Sequence, residues 1–186
     1  MKDHRKELEE YNPKKEFIET IIYCVVAVAI TLLFIHFVGE RTLVDGSSME
    51  SNLHDRDQLY LDKLSYRFKD PERFDIVVFP YPGDERIDYI KRIIGLPGET
   101  VFINDYGDIY INGELLEENY GKERIENPGV AAGGVTLGED EYFVMGDNRN
   151  NSMDSRFENV GNIKRDKLLG KATFRFYPFD SIGKLD

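Results

Sequence analysis

The sequence predicts a mainly β protein, in which one N-terminal transmembrane helix precedes an all-β domain. Three observations lead to this reading. Residues Ile21 to Gly39 run IIYCVVAVAITLLFIHFVG, nineteen positions without a formal charge. The rest of the chain breaks into short runs of β-branched and aromatic residues separated by turn signals. Only Asp62–Lys69 and Ile163–Leu169 have any helical character, and it is weak. A length of 186 residues leaves room for one core with at most a minor lobe.

The apolar run comes first. As a helix it would span roughly 28 Å, close to the hydrocarbon thickness of about 30 Å. It is hydrophobic on every face, so it is not a surface helix. Tyr23 and His36 sit near its ends, where amphipathic rings suit the headgroup zone. A cleaved signal peptide is the competing reading, but its apolar part is about 7–15 residues and ends in a small-x-small site. Here the exit is Gly39-Glu40-Arg41-Thr42-Leu43, and Ala27 and Ala29 lie mid-span. An uncleaved anchor is therefore expected. Lys2, Arg5, Lys6, Lys14 and Lys15 precede it, against only Arg41 and Arg56 in a comparable stretch after it. That asymmetry places the N-terminus in the cytoplasm. The expected organisation is a cytoplasmic tail at 1–20, an anchor at 21–39 and an extracytoplasmic domain at 40–186. Cys24, inside the span, reads as an inert apolar residue.

Beyond the anchor, strands are expected at Gln58–Leu61, Phe74–Phe79, Ile87–Ile94, Thr100–Ile103, Asp108–Ile111, Glu141–Met145 and Lys171–Tyr177. Asn112-Gly113 predicts a hairpin, because a type I′ turn needs positive φ at both central residues. Pro80, Pro82 and Gly83 are expected to close the strand at Phe79, and Pro97-Gly98 the one ending near Ile94. The polar, glycine-rich stretch Glu117–Gly138 reads either as a mobile flap or as a small inserted lobe.

Composition excludes several functions. With 24 basic and 35 acidic residues and a net charge of −11, no nucleic-acid partner is implied. One cysteine excludes a disulfide framework and a cysteine-rich zinc site. Of three histidines, His4 and His36 fall outside the β domain, so no metal cluster can form and no cofactor is expected. His54, between Leu53 and Asp55, reads as a solvated loop residue, which argues against a Ser-His-Asp hydrolase.

A serine with a different base remains. Gly46-Ser47-Ser48-Met49 lies in a turn-forming stretch just past the span. In the run Tyr89-Ile90-Lys91-Arg92-Ile93-Ile94, alternation puts Lys91 on one face with Ile87, Tyr89 and Ile93, and Arg92 on the other with Asp88, Ile90 and Ile94. A lysine among apolar side chains loses solvation and its pKa falls. Serving as a base near neutrality needs a drop of about 3 units from about 10.4, roughly 4 kcal/mol. The alternative is a lysine whose stem packs while its head reaches water. A third cluster, Gly146-Asp147-Asn148-Arg149-Asn150-Asn151-Ser152-Met153-Asp154-Ser155-Arg156, is by itself compatible with an ordinary polar turn.

Together, the anchor, G-x-S-M, Y-x-K-R-x-x-G-x-P-G and G-D-N-R-x-x-S-x-D-S-R resemble bacterial type I signal peptidases (leader peptidases) of the Gram-positive form, which use a Ser-Lys dyad. The resemblance runs from the anchor to the C-terminus. It implies Ser48 as nucleophile and Lys91 as general base, with Ser152 hydrogen-bonded to the lysine and Asp154 and Arg156 bracing the site as an ion pair. It implies a backbone oxyanion donor at Ser48, and Gly46 where some relatives carry a serine hydroxyl. It also implies cleavage of signal peptides after small residues, with exported preproteins and membrane lipid as partners and a monomeric enzyme. An extended substrate would add to edges formed by Val44, Asp45 and Gly46 and by Asp88, Tyr89 and Ile90, with Val44 and Ile90 as pocket walls. One departure stands out: the usual S-M-x-P-T-L is here Ser48-Met49-Glu50-Ser51-Asn52-Leu53. It leaves open a slower or more selective enzyme, or a catalytically weak binding and assembly factor. Self-cleaving repressors with the same dyad lack an anchor.

Overall fold

The computed structural model describes residues 13–37 and 39–185, with side chains described to Leu33 and again from Gly39. Of the features expected in the tail and anchor, Lys2, His4, Arg5, Lys6, Val38 and the ring of His36 lie outside the described residues. The chain divides into two units, residues 1–37 and 38–186.

The first unit contains α1, Pro13–Phe37. It starts well before the apolar run: Pro13 supplies a preset φ and lacks only an N–H that a helix start leaves unpaired anyway. Its 25 residues extend about 37 Å. By length and composition, the segment Pro13–Leu33 is suited to crossing a membrane. Side chains from Pro13 to Leu33 are exposed. The hydroxyls of Thr20 and Thr31 donate to the carbonyls of Glu16 and Ala27, so neither needs water.

The second unit is antiparallel β. Its strands are β1 Gly39–Leu43, β2 Gln58–Asp62, β3 Ile76–Tyr81, β4 Asp84–Gly95, β5 Thr100–Ile103, β6 Ile109–Ile111, β7 Glu114–Leu115, β8 Val135–Thr136, β9 Glu141–Met145, β10 Ile163–Lys164, β11 Gly170–Tyr177 and β12 Gly183–Lys184. The large sheet runs β1-β2-β11-β3-β4-β9-β10, with β12 also on β11, and a small sheet runs β7-β6-β5-β8. All seven expected strands are present, and the two weakly helical stretches contain single 3-10 turns at Ser65–Arg67 and Arg165–Lys167. Asn112 and Gly113 both take positive φ, at 53° and 86°, in the β6–β7 hairpin.

Two expectations need correction, and one choice between flap and lobe narrows. Gly39, placed at the end of the anchor, pairs instead with Asp62 in β1. The strand at Phe79 continues through Pro80 to Tyr81 and reverses at Pro82-Gly83. Beyond Val78, β3 has left β11 and is an edge, where a residue without an N–H is tolerated. The stretch Glu117–Gly138 is packed. Ile125, Ala131 and Leu137 are buried with Val101, Ile103 and Phe143, and Val135–Thr136 joins the small sheet.

A second cluster positions the loop between β1 and β2. Met49 and Leu53, one helical turn apart in that loop, are buried with Val44, Leu59, Leu61, Ile76, Val78 and Ile90. Leu53 is 0% exposed, so Leu53→Ala should cost about 2–5 kcal/mol through the cavity it leaves. Thermal unfolding of the whole chain in detergent measures this. An unchanged melting temperature would mean that burial does not hold the loop.

Candidate active site

Ser48 opens a turn held at several points. The N–H groups of Glu50, Asn52 and Leu53 donate to the carbonyls of Ser47, Met49 and Met49, and the Met49 and Leu53 side chains pin the turn to the core. From the opposite side, the Asn148 N–H donates to Ser48 O at 3.0 Å, and Asn148 Nδ2 to Ser47 O at 2.9 Å. Two residues upstream, Gly46 has φ +97°, with open space around its Cα. The glycine is required by the backbone, since an L side chain is strained at that φ. A serine hydroxyl at this place is therefore not available to this chain without a change of backbone.

Lys91 comes from β4, whose residues from Ile90 to Gly95 are buried on both faces. Its Nζ lies 2.7 Å from Ser48 Oγ and 3.0 Å from Ile90 O, and 4.8 Å from the centre of the Tyr89 ring. Burial of the amine is the main cause that pulls its pKa down to about 8, and the carboxylates of Asp154 and Asp147 push back. Each of those carboxylates already has its own arginine. At 4% exposed, the lysine does not extend its head into bulk solvent but meets the cleft alone.

Those arginine pairs form the floor of the site. Arg156 Nε and Nη2 donate to Asp154 at 2.8 Å each, and Asp154 Oδ2 also accepts the Gly146 N–H. Arg92 Nε and Nη2 donate to Asp147 Oδ1 and Oδ2, both at 2.9 Å, with both side chains fully buried. The second pair was not anticipated from the sequence. Alternation puts Arg92 on the face of Asp88, Ile90 and Ile94 and does not by itself say that this face is buried; the structure buries it, and a buried guanidinium needs an anion. The lone-standing aspartate at the start of the third cluster was the available partner.

Ser152 differs from expectation. Its Oγ is buried without a hydrogen-bond partner, and Lys91 bonds elsewhere. Ser152 Oγ and the Ser48 carbonyl crowd the same side of Gly146, where a Cβ would overlap both.

A cleft of about 250 Å³ runs beside Ser48 and Lys91. Val44, Asp45, Gly46, Asp88, Tyr89 and Ile90 all line it, joined by Asn151 and Met153 from the third cluster. β9 meets β4 only from Arg92 onward, so Asp88 to Ile90 offer an unpaired backbone edge on one wall; on the other, Val44 N–H and C=O already pair with Asp57 and Arg56, and Gly46 N–H donates to Asp55 Oδ1. Among the described residues, no group of histidine, cysteine and carboxylate side chains could hold a metal ion.

Comparison with known proteins places the chain. The family model described as signal peptidase, peptidase S26, matches residues 17–177. The chain belongs to the signal peptidase family. It is 41% identical over 182 residues to a protein named probable signal peptidase I-2 of Synechocystis sp., covering 95% of this chain and 80% of that one. Signal peptidase I of Bacillus licheniformis is 39% identical over 183 residues, covering 94% and 96%. A crystal structure of a signal peptidase I from Enterococcus faecalis V583 is 37% identical and covers 56% of this chain and 98% of its own, with a TM-score of 0.46. The chain is a serine peptidase, and in its mainly β unit Ser48 and Lys91 are in contact.

Gly146→Ala tests the crowding. The added methyl must push Ser152 or the Ser48 carbonyl aside, so peptidase activity should fall about a hundredfold, as misplacement by about 1 Å does. Folding, followed by circular dichroism, should persist. Full activity in the alanine variant would show that the loop yields without disturbing Ser48.

Proposed function

We propose that Ser48 is the nucleophile and Lys91 the general base in this chain's removal of signal peptides from exported preproteins. The observation that carries the assignment is the 2.7 Å separation of Lys91 Nζ and Ser48 Oγ inside a buried site. With the amine neutral, the hydroxyl donates its proton to Nζ and the oxygen attacks the scissile carbonyl carbon. The oxyanion that forms lies against the Ser48 N–H. Its collapse breaks the C–N bond, and Lys91 returns the proton to the leaving amine. Lys91 then takes a proton from water, which hydrolyses the acyl ester and restores Ser48. Ser152, with its unpartnered hydroxyl, is the group assigned to hold the amine once Ser48 carries the acyl chain. Asp154 and Arg156 position the loop that carries it.

The substrate lies extended in the cleft, against Val44, Asp45 and Gly46 on one side and bonded through backbone to the open edge of Asp88, Tyr89 and Ile90 on the other. Val44 and Ile90, 4% and 9% exposed, are the walls assigned to the pockets for small side chains. The excess of Lys and Arg before the apolar helix supports a cytoplasmic N-terminus, a single pass through the bacterial plasma membrane and an extracytoplasmic peptidase unit acting as a monomer. The domain limits belong to the same proposal, a tail to residue 20, an anchor from residue 21 and a peptidase unit that begins at Gly39 rather than Glu40. No observation favours the binding-only alternative.

The test is cleavage of a preprotein with an Ala-x-Ala site, in detergent, by wild type, Ser48→Ala and Lys91→Ala. Only wild type should cut. Its kcat/KM should rise about tenfold per pH unit and level off above about 8, because the neutral amine is the active form. A Lys91→Ala enzyme working at the wild-type rate would sink the assignment.

The same burial has a cost in stability. A lysine whose folded pKa lies below its unfolded value binds its proton less tightly when folded. Stability therefore rises between pH about 8 and 10.5, and a penalty of about 3 kcal/mol persists at neutral pH. Lys91→Met should abolish cleavage and raise the melting temperature at pH 7. A lower melting temperature would contradict the proposed burial penalty.

A further inference from the structure

We propose that Asn52 is a positioning residue, whose side-chain amide ties the nucleophile turn to the strand bearing the lysine through the Asp147 carboxylate. The inference rests on the assignment of Ser48 and Lys91 above.

Asn52 Nδ2 donates to Asp147 Oδ2 at 2.8 Å, the same oxygen that accepts Arg92 Nη2 at 2.9 Å. Arg92 follows Lys91 directly. Asn52 closes the turn that Ser48 opens, its own N–H bonded to Met49 O. One buried carboxylate thus receives a bond from each of the two segments that must meet for Ser48 and Lys91 to touch. The Asp147 main chain joins the same junction, since the next residue, Asn148, holds Ser48 O and Ser47 O.

The chemistry suits an amide. Asp147 is fully buried, and Arg92 occupies one face of each carboxylate oxygen. The remaining lone pair on Oδ2 calls for a neutral donor, because a second cation there would cost desolvation and a carboxylate would repel. An asparagine reaches it and keeps its second N–H toward Tyr120 O, at 3.4 Å. The Tyr120 ring lies over the Arg92 guanidinium at 3.7 Å, and neighbouring Lys122 pairs with Glu50 of the turn at 2.9 Å. The inserted lobe thus reaches the turn through the same junction. Members of the family usually carry Pro-Thr where this chain has Ser51-Asn52. What proline would supply as stiffness, Asn52 supplies as a hydrogen bond across the site.

Asn52 is itself exposed and is not among the residues that wall the cleft. Replacing it opens no cavity and removes no substrate contact. The effect should therefore fall on kcat with KM unchanged, which a general loss of packing would not produce.

The experiment measures kcat and KM on the Ala-x-Ala preprotein, with melting temperatures, for the whole chain as wild type, Asn52→Leu and Asn52→Gln. The leucine variant is nearly isosteric and lacks a donor, so its kcat should fall ten- to a hundredfold at constant KM, in line with a misplacement of about 1 Å or less. Glutamine keeps the amide donor on a longer, flexible stem and should restore most of the rate. If the leucine variant does not fold, Asn52→Ser, too short to reach Asp147, gives the same readout. Equal kcat in wild type and the donor-less variant overturns the proposal, as does a loss carried by KM or shared equally by Leu and Gln. If wild type itself fails to cut, the assignment of Ser48 and Lys91 has failed instead.

Discussion

Asp147 and Arg92 meet by two parallel hydrogen bonds at 2.9 Å where no solvent reaches, and the site is built around that contact. A carboxylate and a guanidinium so placed have exchanged water for each other, and removing either leaves a bare charge costing about 3–5 kcal/mol. The pairing therefore fixes where the third cluster sits against β4. Everything else is registered to it. Asn148 reaches Ser48 because Asp147 is held, and Lys91 faces Ser48 because Arg92 faces away from it.

The second pair, Asp154 with Arg156, works on the electrostatics as well as the geometry. An unpaired buried carboxylate beside Lys91 would stabilise the ammonium and hold its pKa high. With both aspartates satisfied by arginines, desolvation of the amine prevails over their attraction, and the pKa falls to about 8. Two negative charges thus lie near the amine without restoring its ordinary pKa.

Much of this was legible from the sequence, because it rests on local pattern. The seven main strands declared themselves by β-branched and aromatic runs, and Asn112-Gly113 by the demand for positive φ at both places. The cleft residues Val44 to Gly46 and Asp88 to Ile90 came from the motif that names Ser48 and Lys91. What stayed hidden depends on long-range pairing. β1 is polar, and only its ladder with β2 makes it a strand. The packing of Glu117–Gly138 needs Ile125, Ala131 and Leu137 to meet a sheet formed elsewhere in the chain. The bond from Asn52 to Asp147 spans 95 positions, and nothing in the turn's own sequence announces it. The Ser152 hydroxyl is the converse case: the motif implies a bond to the lysine, and here the hydroxyl is buried without a partner.

The low pKa of Lys91 belongs to the closed sheet alone. While β4 is still unpaired, its amine is an ordinary ammonium in water. The unfolded chain therefore carries this lysine in its usual charged form, and closing the sheet is what strips the charge of its water. The amine's chemistry is thus a property of the finished fold, absent from every state that comes before it.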